Sequence, residues 1–182
     1  MSYGIYLDNM ASGYNVSHNV VANVEDAAFF FHDGRDNHVA NNVFYNASNL
    51  FSSAGCQVNV QGVTNYSARN VFERNIVAFH ETPTKRLWYA DSLLTTALAV
   101  ADRNLYFLDD AAGAGDAWQF YENNSALTYV GNWSAWNAAG YDGASVRADP
   151  RFRDAATLDL CLEDDSPALA LGFHKLPEAV CR

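Results

Sequence analysis

Basic residues are scarce in this 182-residue chain: 11 Lys and Arg stand against 21 Asp and Glu, a formal net charge of −10. Phosphate recognition needs clustered Lys and Arg, so no nucleic-acid partner is expected. There is no run of 18 apolar residues, so no membrane span is expected. Met1-Ser2-Tyr3 leads straight into a strand-like run without a signal peptide. A pattern that starts in mid-repeat points to the C-terminal portion of a longer chain, whose full-length parent is expected to be a monomer. The three cysteines, Cys56, Cys161 and Cys181, are an odd number and no disulfide framework, and they are too scattered for a metal site. A Cys161–Cys181 bridge could still tie down the tail. Zinc-ligand spacing, a phosphate-binding loop, a Gly-x-Ser-x-Gly elbow and a compact Asp-x-Asp-x-Asp loop are all missing. Before residue 110 no segment keeps a convincing 3.6-residue period, and the Leu spacing does not fit leucine-rich repeats.

What the chain has is strand and turn chemistry. Hydrophobic residues make up 49% and aromatic residues 14%, in short β-branched and aromatic runs broken by Gly, Asn and Asp. One pattern recurs: Val16-Ser17-His18-Asn19-Val20-Val21, Val39-Ala40-Asn41-Asn42-Val43-Phe44, Phe72-Glu73-Arg74-Asn75-Ile76-Val77 and Ala101-Asp102-Arg103-Asn104-Leu105-Tyr106. Its Asn residues are separated by 23, 33 and 29 positions, the mark of a solenoid whose later coils carry insertions. A 23-residue coil holds three short strands with turns between them, and successive coils stack at about 4.8 Å. Asn tolerates the left-handed conformation of a tight bend, and stacked amides can bond one another. Asn19, Asn42, Asn75 and Asn104 are therefore read as a structural ladder, with Asn23 and Asn46 marking the next bend. Residues 1–110 are expected to form the coils. Residues 111–182 are expected to supply the last coil, loops and a C-terminal cap whose apolar residues cover that coil, with a short helix near Trp133–Ala139 stopped by Gly140.

A second echo lies 24 residues apart: Gly4-Ile5-Tyr6-Leu7-Asp8 and Ala28-Phe29-Phe30-Phe31-His32. In stacked coils Asp8 lies beside His32 at about 5 Å. A carboxylate next to an imidazole favours the charged ring.

The segment Phe31-His32-Asp33-Gly34-Arg35-Asp36-Asn37, followed by Val39–Phe44, resembles the right-handed parallel β-helix repeat family of the pectate-lyase-like superfold. Gly4–Asp8, Asn104-Leu105-Tyr106-Phe107, Asp149-Pro150-Arg151-Phe152 and the tail Asp165–Phe173 fit the same pattern, so the resemblance spans nearly the whole chain. It implies an all-β, right-handed parallel β-helix of about four to five coils with a C-terminal capping segment. That superfold carries lyases, glycosidases, epimerases and non-catalytic adhesins, so fold alone does not set the activity.

The leading expectation is a carbohydrate-active protein acting on a polysaccharide, as glycoside hydrolase or polysaccharide lyase. Asp8 and His32 would be an acid/base unit, Asp33 or Asp36 a second carboxylate, and Arg35 a holder of sugar hydroxyls or uronate. The same residues, Asp33 to Asn37, also make an ordinary turn, with Arg35 clipping two coils. The alternatives are a glycan-binding or structural surface module, or an inactive fragment. Trp88 and Tyr89, in an inserted stretch after Lys85-Arg86, could face a sugar or tuck inward. No cofactor is required, although Asp8, Asp26, Asp33 and Asp36 are hard oxygen ligands of the kind that suit Ca²⁺. Five Asn-x-Ser/Thr sequons, at Asn15, Asn46, Asn65, Asn123 and Asn132, mark either a glycosylated secreted or cell-surface protein or Asn-rich turns that happen to precede Ser.

Overall fold

The structure, a computed structural model, describes residues 2–47, 56–80, 86–90, 97–109, 119–123, 128–131 and 133–182. Short strands alternate with bends. In chain order they are β1 (Ile5–Leu7), β2 (Asn15–Ser17), β3 (Val20–Ala22), β4 (Phe29–His32), β5 (His38–Ala40), β6 (Val43–Tyr45), β7 (Val58–Gln61), β8 (Asn70–Glu73) and β9 (Ile76–His80). There follow β10 (Arg86–Ala90), β11 (Leu98–Asp102), β12 (Leu105–Asp109), β13 (Gln119–Asn123), β14 (Thr128–Gly131), β15 (Val146–Arg147), β16 (Phe152–Asp154) and β17 (Asp159–Leu162). Strands pair in parallel with the strand three further on. A first sheet thus holds β1, β4, β7, β10 and β13, a second β2, β5, β8 and β11, and a third β3, β6, β9, β12 and β15. A chain that revisits the same sheets in the same order is consistent with a β-solenoid. Among the described residues the antiparallel pairs are β13 with β14 and β16 with β17.

Period-two alternation sorts each strand of the first sheet into two faces. Ile5, Phe29, Val58 and Trp88 share one register column, and Leu7, Phe31, Val60 and Ala90 another; both join the main core. Tyr6, Phe30, Asn59 and Tyr89 form the column between them, on the opposite face. The second sheet sends Val39, Phe72 and Ala101 into the core, and the third sends Phe44, Val77 and Tyr106. Burying each large side chain contributes about 1.5–3 kcal/mol.

The third sheet is apolar on its other face as well. Val43, Tyr45, Ile76, Ala78 and Leu105 pack there against Leu160, Leu162, Ala168 and Phe173 in a second core. This corrects the expected role of the C-terminal segment. It lies along the flank of the third sheet and reaches back as far as Asn41, whose side chain bonds the backbone of His174 in both directions, at 2.9 and 2.5 Å. The end of the main core is closed instead by the short helix Trp133–Ala138. Trp136 stacks between Trp88 and Tyr141, with centroid distances of 5.5 and 4.4 Å. A Cys161–Cys181 disulfide ties the tail to β17, while Cys56 is buried elsewhere.

The ladder runs through the bend between the second and third sheets. Asn19 Nδ2 donates to Asn42 Oδ1 at 2.9 Å, Asn42 Nδ2 to Asn75 Oδ1 at 3.0 Å, and Asn75 Nδ2 to Asn104 Oδ1 at 3.4 Å. Each acceptor oxygen also takes the backbone N–H of the preceding Asn. The left-handed residues are not these four but those just before them: His18, Asn41, Arg74 and Arg103, at φ between 50° and 61°. The bend leaves backbone N–H groups pointing along the solenoid, and the carboxamides satisfy them. Asn23 and Asn46 are themselves left-handed and joined at 3.0 Å. A parallel ladder was not anticipated: Asn37 Nδ2 donates to Asn70 Oδ1 at 2.9 Å, and Asn37 Oδ1 accepts from the Tyr14 N–H at 3.0 Å.

The main ladder ends on Asp142. Its carboxylate accepts from Asn104 Nδ2 (2.9 Å), Ser145 Oγ (2.5 Å), Tyr106 Oη (2.9 Å) and Trp136 Nε1 (2.7 Å). Burial drives its pKa above the ordinary carboxylate value in spite of those four donors. Ser145 Oγ accepts the Asn104 N–H, the place an Asn amide oxygen takes one coil earlier.

Candidate functional site

The register of β1 on β4 brings Asp8 beside His32 on the outer face of the first sheet. Asp8 Oδ1 lies 2.8 Å from His32 Nδ1, and their side chains are 51% and 31% exposed. The imidazole and the Tyr6 hydroxyl both bond the Asp8 carboxylate, and in that order they hold its pKa below the ordinary value. Partial burial, then the bond to Asp8 and its charge, push the Tyr6 phenol up to about 12, so Tyr6 stays a donor at neutral pH. Gly62 backs the ring: a Cβ there would stand 2.7 Å from His32 Cδ2 and Nε2. With Nδ1 engaged by Asp8, a neutral imidazole keeps its lone pair on Nε2, the arrangement of an oriented general base.

The other three expected catalytic side chains are spent on joining coils. Asp33 is buried and left-handed, and it accepts from Thr64 Oγ1 at 3.1 and 3.2 Å and from Ser67 Oγ. Burial opposes its ionisation, but the Ser67, Gly34 and Thr64 donors outweigh burial and its pKa is lowered. Asp36 meets Arg69 through a two-pronged fork, Nε at 2.6 Å and Nη2 at 2.7 Å, which lowers its pKa. Arg35 lies 3.3 Å from Asp36 and 5.3 Å over the Tyr66 ring. These contacts are the turn-and-clip arrangement, and Asp8 and His32 are the pair left on the open face.

Trp88 faces the core, fully buried, with Nε1 donating to Tyr106 Oη at 3.1 Å; it cannot present a face to a sugar. Its segment is the strand β10 and not a loop, and the odd and even positions of a strand point opposite ways. Tyr89 is half-buried on the outer column beside Asn59. Among the described residues no group of three or more His, Cys, Asp or Glu gathers to hold a metal, and Asp8, Asp26, Asp33 and Asp36 form no such group. Among the sequons, Asn15 and Asn65 are exposed and Asn46 is half-buried. Asn123 lies in β13, and Asn132 falls outside the described residues.

The outer face also holds aromatic residues that sequence reasoning did not single out. Tyr6 stacks on Phe30 at 4.6 Å and 12°, and Tyr3 leans on both rings at 5.3 and 4.9 Å. The signal was the alternation in Ile5-Tyr6-Leu7-Asp8, which places Tyr6 on the face of Asp8 and opposite Ile5 and Leu7.

The described residues define an all-β-dominant protein of stacked parallel sheets with an Asp–His pair on one outer face. No protein-family model matches the chain, and comparisons with curated proteins and with solved structures likewise find no match. Among the described residues no helix is long and apolar enough to cross a membrane.

Proposed function

We propose that this chain is a right-handed parallel β-helix of the pectate-lyase-like superfold and acts on a polysaccharide, as glycosidase or lyase, through the outer face of its first sheet. The right hand is the one parallel strand–crossover–strand connections overwhelmingly take. The observation that carries the functional reading is the Asp8–His32 contact at 2.8 Å on an open, aromatic-lined face. In this role Asp8 orients the imidazole through Nδ1, and His32 moves the proton at Nε2. A secreted or cell-surface setting is supported by the Cys161–Cys181 disulfide, since such bonds persist in oxidising compartments, and by the exposed sequons at Asn15 and Asn65.

A glycan-binding module without catalysis is the second reading. It is favoured by Asp33 and Asp36, whose carboxylates are engaged by Thr64, Ser67 and Arg69 and leave the pair without a second acid from this segment. A panel of polysaccharides, followed by reducing-sugar release and by absorbance near 235 nm for unsaturated products, separates the two. Activity lost in His32→Ala and Asp8→Asn is expected of the enzyme. Activity unchanged in both variants would remove these residues from the site, and binding without turnover would favour the module.

A further inference from the structure

The aromatic cluster beside the Asp–His pair has the form of a subsite. Tyr6 is 40% exposed although its hydroxyl is engaged by Asp8 and its ring lies flat on Phe30, itself only 3% exposed. The ring is thereby fixed before any ligand arrives, which lowers the ordering cost of binding. It stands 5.8 Å from the His32 ring, centroid to centroid, about the span of one sugar unit. The charge against the two tyrosines is negative. Asp8 bonds Tyr6, Asp26 bonds Tyr3 and, after burial, raises its pKa, and Glu25 lies 3.4 Å from Ser2 Oγ. A uronate carboxylate brought onto these rings would meet like charges, whereas the apolar C–H face of a neutral sugar would not.

We propose that Tyr6, backed by Phe30 and flanked by Tyr3, is a stacking subsite for a neutral pyranose ring next to the Asp8–His32 pair. The proposal rests on the polysaccharide reading above and narrows it. β-Elimination removes the proton α to a uronate carboxyl group, which a neutral ring lacks, so the unit held on Tyr6 is not one from which a lyase would take that proton.

The test is calorimetric binding of the 182-residue chain to neutral hexasaccharides (cello-, xylo- and manno-) and to acidic ones (galacturonate and mannuronate). A neutral hexasaccharide is expected to bind in preference to the acidic set. Tyr6→Ala is expected to weaken that binding about tenfold and Tyr6→Phe less than about threefold, because the ring face is kept. Tyr14→Ala, at an exposed position just before β2, is expected to leave it unchanged. Should Tyr6→Ala fail to fold, saturation transfer from tyrosine ring protons to the sugar in the unsubstituted protein, abolished in the folded Tyr6→Leu variant, decides the same point. Neutral binding untouched by loss of the Tyr6 ring overturns the subsite and leaves the polysaccharide reading standing. Acidic hexasaccharides bound as tightly as neutral ones overturn the selectivity. Binding of neither class overturns both.

Discussion

Asp8 and Asp142 are carboxylates in opposite surroundings at opposite ends of the stack. Asp8 stands on an open face with an imidazole and a phenol for partners, and its pKa is held down. Asp142 is buried among four uncharged donors, and its pKa is driven up. Neutral donors can saturate a carboxylate geometrically without repaying its desolvation. Asp142 therefore closes a structure: it ends the Asn ladder and bonds Trp136 and Tyr106 at the closed end of the core. Asp8 closes nothing, and what it leaves accessible is the imidazole.

The largest expected effect breaks the buried end. Asp142→Ala strands the Asn104, Tyr106, Trp136 and Ser145 donors, at about 1–3 kcal/mol for each one left buried, so a loss of several kcal/mol is expected in urea unfolding. A loss no larger than that of an exposed substitution would mean that the carboxylate does not terminate the ladder. Next comes Asn42→Ala, expected to cost about 1–3 kcal/mol because the Asn19 N–H and Nδ2 lose their acceptor. An unchanged melting temperature would count against the ladder.

At the open end, Gly62→Ala is informative when set against Gly13→Ala. Both glycines are left-handed, at φ 65° and 76°, so both variants carry backbone strain of about 1 kcal/mol or more. A Cβ at Gly13 meets nothing within 4 Å, whereas one at Gly62 collides with His32. Gly62→Ala alone is expected to shift the His32 imidazole resonances in NMR; equal spectra for the two variants would detach Gly62 from the site.

Glu73 is the intermediate case, a buried carboxylate with two guanidinium groups among its donors. It is held by His38 at 3.0 Å, Arg74 at 2.6 Å and Arg103, and against burial these partners lower its pKa. A lowered folded value means that its contribution is full above the unfolded value of about 4.3 and is lost as pH falls through the folded one. Glu73→Gln is expected to cost about 1 kcal/mol at pH 7, modest because His38 and Arg103 stay partly solvated. The gap to the unsubstituted protein should close on acidification below that value. Asp142 works in the other sense, since ionising it as pH rises toward its raised folded value costs stability. A gap for Glu73→Gln that widens in acid would reverse the assignment.

The stacked coils were legible because chemistry recurs at the coil spacing. Asn19 and Asn42, and Asp8 and His32, lie one coil apart in sequence and in space. The second ladder was legible too, since Asn37 and Asn70 each lie five residues before a main-ladder Asn, but Asn37 also closes the turn-like run Asp33–Asn37, which gives it a local role of its own. Whether Trp88 faces out or tucks inward was not legible, because the insertion before it erases the count that tells one strand face from the other, and one residue of register exchanges them. The tail was misplaced for a different reason. Val43-Phe44-Tyr45 and Ile76-Val77-Ala78 are apolar at every position, the mark of strands covered on both faces, and that cover is the C-terminal segment. Asp142 could not be found from the repeat, because the ladder ends on Asp and Ser where its pattern has Asn. For the site, sequence brought Asp8 to His32, but it could not show that Asp33, Arg35 and Asp36 would be taken up by Thr64, Ser67, Tyr66 and Arg69 one coil on.

The most direct measurement is an NMR titration of the His32 imidazole with the polysaccharide panel. A saturable shift of the His32 ring signals with at least one glycan, lost in Asp8→Asn while the fold persists, is the predicted result. Ring signals that no glycan moves, or that move equally without Asp8, would contradict an Asp8–His32 site on the first sheet.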